Sequence, residues 1–284
     1  MAKTIAIASG KGGTGKTTFA VNLACVSNKP VVLLDCDVEA PNTHLFFSKQ
    51  WDTEDEVYVN SPVIDEKLCV GCGECQKHCR FNALILLRDK PLVTYELCHS
   101  CGACVLACPS NIISEKPRAI GVKRTLQSGK LKLIQGELNI GEARSSALID
   151  HLKRVTVERE IVFIDAPPGT SCATIAAISD VDYLVLVTEP TPLGFNDLKL
   201  AVEMAARLNL KVGVIINKSD IGKEPIKKYC RDKEISIIAE MGYDQSLAKA
   251  YSEGKLVLQA LPEYQEKFNS ILSCIYKEMS KCKK

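Results

Sequence analysis

The sequence predicts an α/β fold: a doubly wound, mostly parallel sheet interrupted by a small inserted α+β domain. Three observations carry that expectation. Short Val- and Ile-rich runs recur from both ends of the chain ("TIAIAS", "VVLLDCD", "IVFIDAP", "YLVLVTE", "VGVIINK", "ISIIAE"). They are near-continuously apolar instead of alternating, which is how strands covered on both faces read. Helix-length segments separate them, and eight of the 14 cysteines crowd between Cys69 and Cys108, where this order breaks.

The first run leads into Gly10-Lys11-Gly12-Gly13-Thr14-Gly15-Lys16-Thr17, which fits G-x-x-x-x-G-K-T between a strand and a helix. In that context the pattern is a phosphate loop: glycines let backbone N–H groups wrap an anion at the positive end of a helix. Gly10, Gly12, Gly13, Thr14, Gly15, Lys16, Thr17 and Thr18 are therefore expected to hold a nucleotide. Lys16 would reach its β- and γ-phosphates, and the Thr17 hydroxyl would complete a Mg²⁺ shell. The second run ends in Asp35 and Asp37, and "IVFID" ends in Asp165. Carboxylates at the carboxyl ends of parallel strands face the crevice where such sheets bind ligands. Asp35 and Asp165 are thus expected beside Thr17 at the metal; Asp37 reads either as a site residue or as a turn cap.

After about residue 60, "DTEDEVYVNSP" gives way to the cysteine region, and the α/β pattern resumes near residue 116. The expected division is 1–60 and 116–284 for the nucleotide-binding domain and 61–115 for the insert. Following the insert, "AIGVKRTLQSGKLKLIQGEL" reads as two strands around a turn at Ser128-Gly129. At the end of the chain, Phe268, Ile271, Leu272, Ile275, Tyr276 and Met279 form one face of an amphipathic helix. Glu263, Glu266 and Glu278 interrupt the basic face that a membrane-surface helix prefers, so packing on the sheet is expected and a membrane partner is not.

Within the insert, C-x2-C-x2-C-x3-C occurs twice with an offset of 29 residues, and Asn82 and Asn111 fall in register. This is the bacterial two-cluster ferredoxin spacing, in which the fourth cysteine of each run ligates the other [4Fe-4S] cluster. One cluster is assigned to Cys69, Cys72, Cys75 and Cys108, the other to Cys98, Cys101, Cys104 and Cys79. The second run is followed by Pro109, the first by Arg80, which removes no ligand. Zinc knuckles pair C-x-x-C units and do not require the triple spacing. His78 and His99 read as surface residues. Of Cys25, Cys36, Cys172, Cys230, Cys274 and Cys282, most read as buried small hydrophobes or inert thiols; Cys172, seven residues beyond Asp165, is a candidate for a metal role.

The formal net charge is +2. Two oxidised four-iron clusters with thiolate ligands, each about −2, would bring the loaded chain to about −2. Basic residues are scattered, and no nucleic-acid partner is expected. The N-terminus shows no signal-peptide pattern and no run reaches 18 apolar residues, so a cytoplasmic protein with reduced thiols is expected.

Lys11 at the second position of the loop, together with "DCD" and "DAPPGT", resembles the deviant-Walker ATPases: MinD, ParA, the Mrp-type cluster carriers and the nitrogenase iron protein. The resemblance covers the whole α/β portion and implies the P-loop NTPase fold of the SIMIBI type. It implies ATP and Mg²⁺ as ligands, an ATP-sandwich homodimer in which Lys11 reaches the opposite subunit's nucleotide, and Asp37 as the residue that positions water. Lys11, Lys16 and Asp37 would be the catalytic set, and Asn217 of "NKSD" would contact the base. "NKSD" also looks like the guanine-reading N-K-x-D, where Asp220 would pair with the base; the rest of the pattern follows the ATPase group. In the nitrogenase iron protein the place of Cys172 holds a ligand of a bridging cluster, but no second cysteine matches here, and the C-x-x-C of Mrp-type carriers is absent. An inserted two-cluster ferredoxin is similar to a group of MinD-superfamily ATPases associated with redox or cluster biogenesis. The resemblance implies a slow, partner-stimulated ATPase coupling nucleotide state to electron transfer toward an acceptor protein. Alternatives are an ATP-dependent carrier or scaffold for an iron-sulfur or heterometal cluster, and a MinD-like positioning ATPase.

Overall fold

The computed structural model describes residues 3–47, 49–154, 161–223 and 225–281. In chain order the first half contains β1 (Lys3–Ala8), α1 (Lys16–Val26), β2 (Val31–Asp35), β3 (Thr53–Ile64), α2 (Glu74–Lys77), β4 (Leu84–Leu87), β5 (Lys90–Val93), α3 (Ala103–Ala107), β6 (Ile113–Ser128) and β7 (Leu131–Leu138). The second half contains α4 (Ser145–Arg154), β8 (Ile161–Asp165), α5 (Cys172–Ile178), β9 (Tyr183–Thr188), α6 (Pro192–Arg207), β10 (Val212–Asn217), α7 (Ile226–Asp232), β11 (Ser236–Met241), α8 (Gln245–Ser252), α9 (Val257–Ala260) and α10 (Tyr264–Ser280).

All six apolar runs are strands. They lie parallel, with β7, in the order β11-β10-β9-β1-β8-β2-β7, and the sheet continues through β6 to β3. β2, β8 and β9 are buried at every residue, as uninterrupted Val/Ile/Leu runs require. Ile5, Ile7, Leu33, Phe163 and Val185 share a core with Phe19 and Leu23 of α1. The hairpin expected around Ser128-Gly129 is present as β6 and β7.

One strand differs from expectation. "DTEDEVYVNSP" carries four acidic residues, yet it belongs to β3. β3 ends the sheet order, so its acidic side chains stay in water while the backbone is paired; edge strands use charge and proline in this way. Arg124 forms ion pairs with both Glu54 and Glu137, and the Thr53 and Thr125 hydroxyls are 2.6 Å apart.

α10 presents Phe268, Ile271, Leu272 and Ile275 to the core, with Tyr276 and Met279 partly buried against it, and the Phe268 and Phe19 rings lie 5.9 Å apart. The apolar face identified in the sequence is thus engaged by α1. Among the described residues no helix is long and apolar enough to cross a membrane.

The chain divides into two compact units: residues 1–54, 123–137 and 149–284, and residues 55–122 with 138–148. The second unit repeats its own backbone at the 29-residue offset. Gly71 and Ser100, Gly73 and Gly102, and Asn82 and Asn111 all take positive φ at equivalent places. The short helices α2 and α3 begin after Gly73 and Gly102. The halves interlock: Asp65 N–H donates to Ile112 C=O (3.1 Å), and its shifted counterpart Thr94 N–H donates to Ala83 C=O (2.8 Å). Their small core follows the same relation, with Leu84 matching Ile113, Cys75 matching Cys104, and Cys79 matching Cys108. His78 and His99 are exposed, His99 stacking on Phe81 at 3.7 Å.

Candidate functional site

The carboxyl end of β1, in mid-sheet between β8 and β9, feeds the glycine loop into α1. Gly10 permits close approach of α6: a Cβ there would sit 2.5 Å from Asp197. Gly15, at φ 99, supplies the left-handed turn that starts the helix. Gly12, Gly13, Gly15, Lys16, Thr17 and Thr18 line one side of a cavity of about 300 Å³, with Lys16 itself almost fully buried. Asp37, Asn42 and Pro168 border it, and Asn217, Lys218, Tyr243, Asp244, Leu247 and Tyr251 extend it. Gly10 and Thr14 lie behind the lining; the buried Thr14 hydroxyl has no hydrogen-bond partner.

The two strand-end aspartates, paired in register across β2 and β8, have opposite surroundings. Asp35 accepts from the N–H groups of Asp37, Asn42 and Thr43, each at 3.1 Å, and from the Thr43 hydroxyl at 2.8 Å. Expected at the metal, it is instead the brace of the loop that carries Asp37, because the backbone after β2 curls back onto it. Asp165 is equally buried, but neither of its oxygens closes a hydrogen bond. Burial first, then the charge of Asp35, pushes its carboxyl up to about 8, against the pull of Lys16 and the nearby Thr17 hydroxyl. Asp35 is also raised by burial, but four donors favour its charged form, so Asp165 is the member of the pair that holds a proton. An unpartnered buried carboxyl next to Thr17 and Lys16 fits a divalent cation. Asp37 is half-buried at the cavity edge, raised to about 6 by burial and then by Asp35.

Lys11 points to Glu189, at 3.1 Å, and Lys218 meets the other oxygen of the same carboxylate at 2.5 Å. Burial raises Glu189, but hydrogen bonds from Lys218 and Lys11 outweigh it and hold the carboxyl below its usual range. Glu189 was not singled out from the sequence, although it follows an apolar strand just as Asp35 and Asp165 do, and that rule would have found it. Tyr243, Leu247 and Tyr251 carried no motif.

Asn217 donates to Thr14 C=O at 2.8 Å and accepts from Lys218 N–H at 3.0 Å. It lines the cavity but is engaged in bracing the loop, so the expected base contact is not its first role. Asp220 accepts from Tyr243 N–H at 2.6 Å and lies outside the lining, which leaves the guanine-reading geometry unformed.

In the other unit, Cys79, Cys98, Cys101 and Cys104 line a single pocket together with Phe81 and His99. Backbone N–H groups already point at two of these sulfurs: Ala83 to Cys79 (3.3 Å) and Ser100 to Cys98 (3.5 Å). Cys75 is raised chiefly by burial, with further repulsion from Cys69, Cys72 and Cys108. Among the described residues, no three His, Cys, Asp or Glu side chains converge on one point as ligands of a single ion would. Elsewhere, Cys36 and Cys230 are buried, Cys25 is raised by burial to about 12, Cys274 is partly buried, and Cys172 stands exposed at the start of α5. Cys282 lies outside the described residues.

A family model for the CobQ/CobB/MinD/ParA nucleotide binding domain matches residues 5–257. An uncharacterized protein of Methanocaldococcus jannaschii is 36% identical over 221 residues, covering 75% of this chain and 77% of its own length. An iron-sulfur cluster carrier protein of Methanococcus maripaludis is 25% identical over 297 residues, covering 96% of this chain and 86% of its own. The crystal structure of the cell division ATPase MinD from Pyrococcus furiosus superposes with a TM-score of 0.60 at 17% identity, covering 98% of this chain and 99% of that one, a likeness of fold.

Proposed function

The chain belongs to the CobQ/CobB/MinD/ParA nucleotide-binding family, and from that premise we propose that it is an iron-sulfur ATPase whose nucleotide state governs electron transfer from two resident [4Fe-4S] clusters in its second unit, an inserted two-cluster ferredoxin. The observation that carries this reading is the pocket lined by Cys79 from the first motif and Cys98, Cys101 and Cys104 from the second. That crossed set is what two interlocked four-cysteine runs require. When bound there, such clusters supply one-electron chemistry. The chain's part is to supply four sulfurs per site, direct N–H groups at them, and keep Cys98 and Cys104 largely out of water.

At the nucleotide, Lys16 and the loop N–H groups bind the β- and γ-phosphates. Thr17 and Asp165 would hold Mg²⁺, which would screen the phosphate charge, and Asp165 would serve it in its ionised form, its proton passing to solvent. Asp37 orients the water that attacks the γ-phosphorus while the bond to the β-phosphate oxygen breaks. Lys11 leaves Glu189 to reach the nucleotide of a second copy, so hydrolysis is slow in the monomer and awaits dimerisation and an acceptor protein.

A second reading, delivery of a cluster to that acceptor, is supported by the cluster-carrier relative. A third, positioning on a membrane, loses support because the apolar face of α10 lies in the core. Anaerobically purified protein should hold about eight irons. Mixed under MgATP with an acceptor, it should lose electrons and keep its iron; loss of iron to the acceptor would favour delivery, and identical rates under ATP, ADP and no nucleotide would refute gating.

A further inference from the structure

At the 29-residue offset the two cysteine runs keep every cysteine but differ at several positions between them, one of which lies beside a ligand. Between Cys98 and Cys101 stands Ser100, whose counterpart between Cys69 and Cys72 is Gly71. The Ser100 hydroxyl accepts from Arg144 Nη1 at 2.6 Å, while its own N–H points at Cys98 Sγ. Arg144 comes from the 138–148 segment, far along the chain yet part of the same unit, and is only 4% exposed. Its guanidinium also reaches the Ser61 hydroxyl at 3.5 Å and both oxygens of Glu142, at 2.7 and 2.8 Å. Glu142 accepts from Arg118 as well, at 2.7 Å. Two guanidiniums share one buried carboxylate, so the group carries excess positive charge. Two acids oppose it, Glu96 facing Glu142 and Glu115 beside Gly102 of the same run; both are exposed and their charges are screened.

Beside the other run the nearby cation is Lys77, which feels Cys72 but is exposed and paired with Glu74; among the described residues no buried guanidinium is hydrogen-bonded to that run. Gly71 has no side chain, and the space where a Cβ would project is occupied by Asp89, 2.8 Å away on an exposed turn between β4 and β5. Reduction adds negative charge to a cluster. A permanently charged, buried guanidinium and a fixed N–H directed at a ligand sulfur both favour the reduced form, and the low dielectric of the interior magnifies the first effect.

We propose that the cluster held by Cys79, Cys98, Cys101 and Cys104 is the higher-potential one of the two, poised by Arg144 acting through Ser100, so that an electron entering the chain comes to rest there. The inference rests on the two-cluster reading above. Arg144 is a positioning and charge-supplying residue that touches no ligand sulfur itself.

The test is an EPR-monitored redox titration of anaerobic protein. Wild type should show two separated one-electron steps. Arg144→Gln should lower the upper step by about 59 mV, a tenfold change in its equilibrium, and leave the lower step in place. Arg144→Lys should recover most of the shift, and Glu142→Gln should move the same step upward. If Arg144→Gln fails to fold, Ser100→Ala keeps the charge and removes the relay, and a smaller drop in the upper step is expected. Unmoved steps, or both steps moving equally, overturn the assignment. Wild-type protein lacking eight irons refutes the two-cluster reading first and takes this inference with it, before any variant is compared.

Discussion

Binding of a preformed Mg²⁺–nucleotide complex at pH 7 should expel about one proton. The source is Asp165, whose carboxyl sits at about 8 because it is buried, beside Asp35, and lacks a hydrogen-bond partner. At pH 7 such a group is about nine-tenths protonated, and Asp37, at about 6, adds roughly one-tenth. A cation can be ligated only by the ionised form. Calorimetric titrations in buffers of different ionisation enthalpy read the proton count as a slope: about 1 at pH 7, falling to about 0.1 at pH 9. Asp165→Asn should cut the release at pH 7 to the roughly one-tenth that Asp37 supplies. The same shift fixes the sign of the stability profile without nucleotide. The folded carboxyl binds its proton more tightly than the unfolded one, so stability is greatest below the ordinary carboxylate range and falls as pH rises through about 8. Saturating Mg²⁺–nucleotide should flatten that decline. No proton release at pH 7, or equal release from Asp165→Asn, would refute the account of this carboxyl.

Glu189→Gln loosens both lysines that it holds and should move the midpoint of ATP-dependent dimerisation to about three- to tenfold lower protein concentration, measured by sedimentation; a midpoint that stays put would mean the contact does not restrain Lys11. Asp35→Asn replaces one of two buried oxygens, which together accept four hydrogen bonds, with an NH₂ group that faces donors, and should cost about 1–3 kcal/mol of stability by urea unfolding, whether or not nucleotide is present. Phe268→Ala empties a site between α10 and α1 and should cost about 3–5 kcal/mol in the same assay. Cys108→Ser should damage the cluster served by Cys69, Cys72 and Cys75; damage confined to the other quartet would contradict the crossed arrangement.

The strands were legible because burial on both faces leaves an unbroken apolar run, and the glycine loop because its spacing is dictated by backbone contact with phosphate. What separates Asp35 from Asp165 was not legible. Both end similar strands, and they differ only in whether residues 42 and 43 fold back with their N–H groups, a tertiary outcome. β3 was hidden by the solvent-facing acids of an edge strand. Arg144 was invisible for a related reason: in sequence it stands 36 residues beyond Cys108, and only the fold brings it to Ser100. Asn217 and Asp220 carried a base-reading motif whose donors and acceptors are already engaged locally.

The reciprocal bonds Asp65 to Ile112 and Thr94 to Ala83 have a consequence for ancestry. Each half closes a backbone bond on the other, and under the crossed ligation proposed above each quartet would borrow one cysteine from the other half, so neither is a self-sufficient module. A lone ancestral half would have met those needs by pairing with a second copy of itself, at an affinity set by concentration. Carrying both halves on one chain replaces such an encounter with a tether, which holds the partner at an effective concentration on the order of millimolar. A tethered pair, unlike a pair of identical copies, can carry different residues at matching places, as Gly71 and Ser100 do.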